Sequence, residues 1–215
     1  MTRVALIHAL AHSIAPINEE MARQWPSCER MNLLDDSLSG DLACSPQGLD
    51  ADMHERFETL AAYAERAGAQ AILFTCSAFG PCIEAVAARR PSMPVLKPNE
   101  AMVADAAALG RRIGLIASFA PTLVSMPAEF SADIEVVPHL AVGALDALNQ
   151  GDVAGHDAKV VQSARWLAQQ GCDVIALAQF SMARAESAVR LALDLPVLTT
   201  PGSAVRVLRQ RLGWL

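Results

Sequence analysis

The sequence predicts an α/β protein of two similar lobes, each a mainly parallel sheet of about four strands flanked by helices. Two observations lead to this fold class. Short apolar runs rich in β-branched residues alternate with segments of helical periodicity, which is the pattern of βαβ units. In addition, the stretch around Gly68 returns in similar form around Gly171. This repeat divides the chain into an N-terminal lobe, residues 1–109, and a C-terminal lobe, residues 110–215, with a soft boundary across which elements can be exchanged.

The individual elements follow in chain order. The apolar runs that predict strands are residues 4–8, 30–33 (the weakest), 71–75 and 95–97 in the first lobe, and 113–117, 134–137, 174–178 and 197–199 in the second. Helical spacing precedes Gly68 and Gly171, and a glycine is the residue that most readily closes a helix. If the lobes pack about a pseudo-two-fold axis, loops after equivalent strands face one cleft, because ligands bind at the carboxyl ends of parallel strands.

Composition excludes several classes of protein. The 215 residues are 53% hydrophobic and 19% charged, which is typical of a globular chain, and the net charge is −6 without a basic cluster. We therefore expect neither nucleic acid nor a membrane as a partner. A signal peptide and a membrane-spanning run are not apparent, so the expected location is the cytoplasm. The five cysteines have irregular spacing, which indicates neither a disulfide framework nor a zinc site.

Cys76 is the first candidate catalytic residue. It follows a predicted strand and precedes a helix that Pro81 is suited to begin, because proline lacks the amide hydrogen that a helix start leaves unpaired. The positive end of a helix dipole favours a thiolate, which would make Cys76 a usable base or nucleophile. A buried core cysteine is the alternative interpretation. The repeat places Gln179 opposite Cys76, and we expect function at this asymmetric pair.

Other polar residues cluster at the same strand ends. His8 is a candidate for the second acid or base, and it is equally well explained as a histidine whose hydrogen bonds are satisfied by the fold. Asn99 could orient a substrate group or cap the following helix. Short hydroxyl side chains can hold a carboxylate together with helix N-terminal amides. The hydroxyl residues predicted to bind substrate are Ser13, Thr75, Ser77, Ser118, Thr122 and Ser181.

Several of these segments resemble one known superfamily. Residues 68–81, GAQAILFTCSAFGP, with residues 94–102, look like the first catalytic-cysteine motif of the aspartate/glutamate/hydantoin racemases, and residues 113–122 and 171–179 extend the resemblance over nearly the whole chain. Members of this superfamily include maleate isomerase and arylmalonate decarboxylase, and they act beside a carboxylate or carbonyl without a metal or organic cofactor. In two-cysteine members one thiol ends a strand in each lobe. This sequence keeps Cys76 but has Gln179 at the second position.

The resemblance implies an enzyme, an isomerase of the racemase type, that moves a proton at a carbon next to a carboxylate or carbonyl of a small molecule. The missing second cysteine leaves open a decarboxylase of a malonate-type acid and a maleate-type cis-trans isomerase. Two readings from other classes are a cysteine hydrolase and a non-catalytic protein that binds small carboxylates. We expect no cofactor, a small carboxylate-bearing substrate as the partner, and leave a homo-oligomer open.

Overall fold

Eight strands form two separate parallel sheets with the same topology in the computed structural model, which describes residues 2–214. The first sheet has the order β2-β1-β3-β4 and the second β6-β5-β7-β8, so the sequence prediction of two four-stranded parallel sheets is confirmed. The strands are β1 (Arg3–His8), β2 (Glu29–Leu34), β3 (Ala71–Phe74), β4 (Val95–Leu96), β5 (Arg112–Ala117), β6 (Glu135–Leu140), β7 (Val174–Leu177) and β8 (Val197–Thr199).

Helices connect the strands in a matching sequence in both lobes. They are α1 (Ile14–Gln24), α2 (Ser37–Cys44), α3 (Ala51–Arg66), α4 (Gly80–Ala88), α5 (Glu100–Leu109), α6 (Ala120–Ser125), α7 (Ala144–Asn149), α8 (Val153–Gln169), α9 (Glu186–Ala192) and α10 (Thr200–Arg211). Short 3-10 turns precede α1, α4 and α9 and follow α6. Within residues 2–214, none of the helices combines the length and the apolar character needed to cross a bilayer.

The two sheets agree in register as well as in order. Arg3 lies beside Glu29 at the start of the first sheet, and Arg112 lies beside Glu135 at the start of the second. Both pairs form ion pairs, with N to O distances of 2.7 and 2.5 Å. The pairs are largely exposed, so their contribution to stability is small. The two pairs show that equivalent residues begin both sheets.

The long helices α3 and α8 begin and end in the same way. Asp50 and Asp152 cap them, each accepting a hydrogen bond from the backbone N–H three residues further on. Gly68 and Gly171 follow them with φ of 84° and 78°, a left-handed conformation that glycine adopts without steric cost. These ends fix where β3 and β7 start, and therefore where the residues after those strands lie.

Each sheet is covered on both faces, but one helix of each half packs on the sheet of the other. Helix α5 packs on the second sheet and α10 packs on the first. The residues of these contacts are Met102, Val103 and Ala106 against Ile113 and Leu115, and Ala204, Val205 and Leu208 against Val4 and Leu6. The division at residue 109 therefore describes the sequence repeat, whereas the packing units exchange their last helices.

A glycine in β5 sets the distance between the second sheet and α8. A Cβ added at Gly114 would lie 3.0 Å from Leu167 Cδ1 and 3.1 Å from Ile175 Cδ1. We expect Gly114→Val to lower the free energy of unfolding by about 1–3 kcal/mol, because the extra carbons overpack this contact. Urea unfolding followed by circular dichroism measures it. Gly40→Ala is the control: Gly40 has open space around it, so the replacement should leave stability unchanged or raise it.

Candidate active site

A small chamber lies between the lobes at the carboxyl ends of the strands. Its volume is about 10 Å³, which is room for about one water molecule. Four of the lining residues come from the loops after β1 and β3, one from α2, one from α7 and two from the loops after β5 and β7. They are Leu10, Ser13, Ser39, Thr75, Cys76, Phe119, Leu145 and Gln179.

Six of these eight residues form pairs at equivalent positions of the two lobes. The two members of each pair follow equivalent strands by the same number of residues. The spacing is two residues after β1 and β5, five after β2 and β6, and two after β3 and β7. The pairs are Leu10 with Phe119, Ser39 with Leu145, and Cys76 with Gln179. The chamber therefore lies on the pseudo-two-fold axis that the sequence repeat predicted, and Cys76 and Gln179 border the same space.

Cys76 stands at the junction of β3 and α4. Its backbone is extended, and the 3-10 turn Ser77–Phe79 begins directly after it, followed by α4 with Pro81 in its first turn. The side chain is partly buried, and burial raises the pKa of the thiol to about 11. Hydrogen bonds from the Ala78 N–H and the Ser39 hydroxyl act in the opposite direction and lower it. The expectation that the helix start would favour the thiolate is corrected: desolvation outweighs the nearby donors, and Cys76 is a protonated thiol at neutral pH.

Ser39 is a site residue that the sequence analysis missed. It lies in α2, and its Oγ donates to the Ala9 carbonyl at 2.8 Å in addition to its position beside Cys76. A hydroxyl can rotate, so the same group can donate to the sulfur when the thiol loses its proton. Ser39 could have been found from the sequence only as the residue equivalent to Leu145 of the other lobe. That equivalence requires an alignment of β2 with β6.

Removal of the Ser39 hydroxyl should make the thiolate of Cys76 harder to form. We expect Ser39→Ala to lower the alkylation rate of Cys76 by iodoacetamide about 3- to 10-fold between pH 8 and 9, because a donor to the charged sulfur is lost. Mass spectrometry of the Cys76 peptide measures the rate separately from that of Cys44, which is exposed. Ser163→Ala is the matched control, since the Ser163 hydroxyl also donates to a backbone carbonyl, at 2.9 Å in α8. An equal slowing in both variants would contradict the assignment.

Gln179 is held in one orientation by the loop after β5. Its Oε1 accepts hydrogen bonds from the Ser118 N–H at 2.5 Å, the Ser118 hydroxyl at 3.0 Å and the Phe119 N–H at 3.2 Å. Backbone N–H groups donate only, so the atom they contact is the amide oxygen and not the amide nitrogen. The –NH₂ group is then the part of the amide that is left to the chamber. Gln179 thus presents N–H donors opposite the thiol.

His8 belongs to a hydrogen-bonded chain behind the chamber. Asn18 donates to the Ile14 carbonyl and to Asn32 Oδ1, both at 2.8 Å, which fixes Asn32 Oδ1 as an acceptor. His8 Nε2 lies 3.0 Å from that oxygen and must donate to it. His8 Nδ1 therefore accepts from the Thr75 hydroxyl at 2.8 Å.

This chain changes the roles expected for His8 and Thr75. His8 is fully buried, and burial lowers its pKa to about 4 although the Asn32 hydrogen bond opposes the shift. Both ring nitrogens are in use, so the geometry does not support His8 as the second acid or base and makes it a positioning residue for Thr75. Because the Thr75 hydroxyl donates its proton to His8, its oxygen can accept a hydrogen bond from a group in the chamber.

The remaining residues predicted to bind substrate are distributed over three places. Ser13 lines the chamber and makes no capping hydrogen bond at the start of α1. Ser77 donates to Thr122 at 3.2 Å, so this pair joins the two lobes beside the chamber. Asn99 does not cap α5 and donates to Glu129 at 3.2 Å.

Asn99 and Ser181 are buried and do not belong to the described lining of the chamber. Ser118 reaches the chamber through Gln179. Of the seven residues predicted to bind substrate, the structure brings Ser13 and Thr75 to the chamber wall beside Cys76 and sets Ser118 directly behind it.

Comparison with known proteins gives a consistent result. A family model described as Asp/Glu/hydantoin racemase matches residues 16–208. A glutamate racemase from Bacillus anthracis has a TM-score of 0.78 at 16% identity over 100% of this chain and 84% of that one. An allantoin racemase from Klebsiella pneumoniae gives 0.70 at 18% over 99% and 88%, and a glycine-to-cysteine mutant of arylmalonate decarboxylase gives 0.67 at 20% over 99% and 94%. No curated protein sequence matches the chain.

Proposed function

Because the chain belongs to the Asp/Glu/hydantoin racemase family, we propose that it moves a proton at a carbon next to a carboxylate or carbonyl group of a small molecule, with Cys76 as the acid or base. The observation that carries this proposal is the position of the thiol on the wall of the inter-lobe chamber, with a fixed amide across from it. The reaction uses side chains of this protein and needs no organic cofactor.

The proton transfer is proposed to take place on one face of the reacting carbon. An amide does not exchange protons usefully near neutral pH, so Gln179 cannot serve as the acid of the second face. Its N–H groups can instead stabilise the negative charge that develops on a carboxylate or carbonyl oxygen when the carbon becomes planar. Ser13 lines the chamber and makes no capping hydrogen bond, so its hydroxyl can donate to the same group. The site is then a one-thiol version of the two-thiol arrangement.

Decarboxylation of a malonate-type acid is the second candidate, and the protonation state of Cys76 favours it. The C–C bond to one carboxylate breaks, carbon dioxide leaves, and the electron pair forms an enediolate. The Cys76 thiol gives its proton to the carbon, and the resulting thiolate regains a proton from water. A thiol whose pKa is raised to about 11 is already in the acid form that this step needs. The similarity to arylmalonate decarboxylase is in agreement with it.

The two other enzyme hypotheses, a maleate-type isomerase and a cysteine hydrolase, need a thiolate nucleophile at neutral pH. A maleate-type isomerase would add the sulfur to a double bond, and a hydrolase would need a histidine to activate it. His8, the histidine predicted as the second acid or base, is engaged at both nitrogens. A non-catalytic carboxylate-binding protein differs from all these enzymes in that it binds the carboxylate without turnover.

Deuterium incorporation at carbon tests the proposed function. The protein is incubated in D₂O with 2-substituted acids, hydantoins, malonates and maleate, and the products are followed by NMR and chiral chromatography. We expect deuterium at the carbon beside the carboxylate or carbonyl, in one configuration only. A panel without deuterium at carbon, in the presence of measurable ligand binding, would support the binding protein instead.

Restoring a second thiol should open the second face. We expect Gln179→Cys to racemise the deuterated product, with a rate about 10²-fold or more above that of Gln179→Ser, because both variants lose the amide and only the first supplies a second acid. Chiral chromatography over time measures it. If the two variants behave alike, residue 179 does not face the reacting carbon.

A further inference from the structure

A second, larger cavity lies next to the chamber. Its volume is about 610 Å³, within the range of small-molecule sites. It is formed by α2 and the following loop from one lobe and by the β5–α6 loop, α6 and the end of β6 from the other. We call it the apolar groove. The side chains that give it its character are Leu42, Leu49, Phe119, Pro121, Val124 and Leu140.

The apolar groove and the chamber share walls. Phe119 lines both cavities. Ala78, whose N–H contacts the Cys76 sulfur, lines the groove, and α2 contributes Ser39 to the chamber and Leu42 to the groove. The two spaces therefore adjoin at Phe119.

Phe119 is held in place by both its backbone and its side chain. Its N–H donates to Gln179, while its side chain is partly buried and packs against the core of the N-terminal lobe. The chamber alone, at about 10 Å³, has no room for a substituted acid, so a substrate must use adjoining space.

The charge of the walls limits what that space can accept. Among the described residues that line the chamber and the apolar groove there is no Lys, Arg or His. A side-chain carboxylate, as in aspartate or glutamate, would be desolvated there without a cation. An apolar group gains free energy by leaving water in the same place.

We propose that the apolar groove is the subsite for a bulky apolar substituent, an aryl or branched alkyl group, on the reacting carbon of the substrate, with Phe119 at its boundary with the chamber. The inference rests on the proposed function in one respect, that the substrate carboxylate or carbonyl lies beside Cys76. The substrate class is then an apolar-substituted carboxylic acid or its malonate or hydantoin equivalent, and not an acidic amino acid.

Binding of two carboxylates without turnover tests the subsite. Phenylacetate and succinate each offer a carboxylate, and they differ in the apolar or charged group beyond it. We expect phenylacetate to bind about tenfold or more tightly than succinate, measured by NMR titration, and its ring to show NOEs to methyl groups of Leu42, Val124 and Leu140.

Three variants locate the effect. Ala43→Trp fills the groove from an exposed position on α2, and Val124→Asp places a charge at its mouth, where Val124 is 84% exposed. Both should reduce the preference for phenylacetate to within about twofold. Leu191→Asp is the control, since Leu191 is 91% exposed on α9 and does not line the groove, and it should keep the preference.

The outcomes separate this inference from the proposed function. A preference that survives both groove variants, or ring NOEs elsewhere, would overturn the subsite. So would a dimer, seen by ultracentrifugation, that Val124→Asp dissociates while ligand preference is unchanged, because a second copy would then cover the groove. If phenylacetate binds in the groove but no compound exchanges deuterium at carbon, the subsite holds and the proposed function fails.

Discussion

Replacing Cys76 by alanine should lower the rate of deuterium incorporation at the reacting carbon by about 10²- to 10⁴-fold, the usual contribution of a positioned acid or base. The reason is positional. Of the five cysteines, all within the described residues, Cys76 is the one that lines the inter-lobe chamber. Since removal of the thiol also removes bulk from a small cavity, ligand binding is expected to persist, and the loss should appear in kcat and not in KM.

The matched control for this prediction is Cys82→Ala. Burial raises the pKa of both the Cys76 and the Cys82 thiol to about 11, but Cys82 is a buried residue of α4 and belongs to the core of the N-terminal lobe. Cys82→Ala should retain the turnover of the wild-type protein apart from a small loss of stability. A Cys76→Ala variant that keeps wild-type exchange would remove the thiol from the mechanism.

The pH dependence distinguishes the two roles of the same sulfur. The pKa of Cys76 is raised to about 11, so the thiol is present below that pH and is lost as the pH rises through it. A decarboxylase that uses the thiol as an acid should keep its rate from neutral pH up to about 10 and then decline. An enzyme that uses the thiolate as a base should accelerate tenfold per pH unit over the same range. Initial rates measured between pH 7 and 11 decide between them.

The features that depend on local pattern were predictable from the sequence. The strands are short apolar runs, and the glycines after α3 and α8 adopt positive φ. The sequence repeat makes Cys76 and Gln179 equivalent, which predicts that both lie at the same pseudo-two-fold axis. These signals require no knowledge of the packing between distant segments. They sufficed for two parallel sheets and for the location of the cleft.

The features that depend on tertiary environment were not predictable. The position of Cys76 before a helix start favours the thiolate, but desolvation by burial in the folded protein outweighs it and raises the pKa. Ser39 lies in a segment without clear periodicity, and its approach to the sulfur is set by the packing of α2. The role of His8 depends on the orientation of Asn32, which Asn18 of α1 fixes by a hydrogen bond. The sequence left an exchange of elements across residue 109 open, but that α5 and α10 are the helices exchanged leaves no mark in the hydrophobic pattern of either helix.

Replacing Gln179 by glutamate should lower the turnover by about 10²- to 10³-fold, the cost of removing one preorganised donor to a developing oxyanion. The change is isosteric, so the chamber keeps its shape. One carboxylate oxygen can accept the same hydrogen bonds from Ser118 and Phe119, and these donors favour the charged form. The other oxygen then points into the chamber where the –NH₂ group was, and it can only accept.

The sign of this effect follows from the charge that develops in the reaction. As the substrate carbon becomes planar, negative charge grows on its carboxylate or carbonyl oxygen, and an N–H donor stabilises it while a carboxylate oxygen repels it. Because the repulsion grows with the charge, kcat should fall more than substrate affinity. Gln162→Glu on the exposed surface of α8 is the matched control for the added charge. If Gln179→Glu keeps its turnover within about twofold of the wild type, the amide nitrogen does not contact the reacting group, and the donors must be sought at Ser13 and the adjacent backbone.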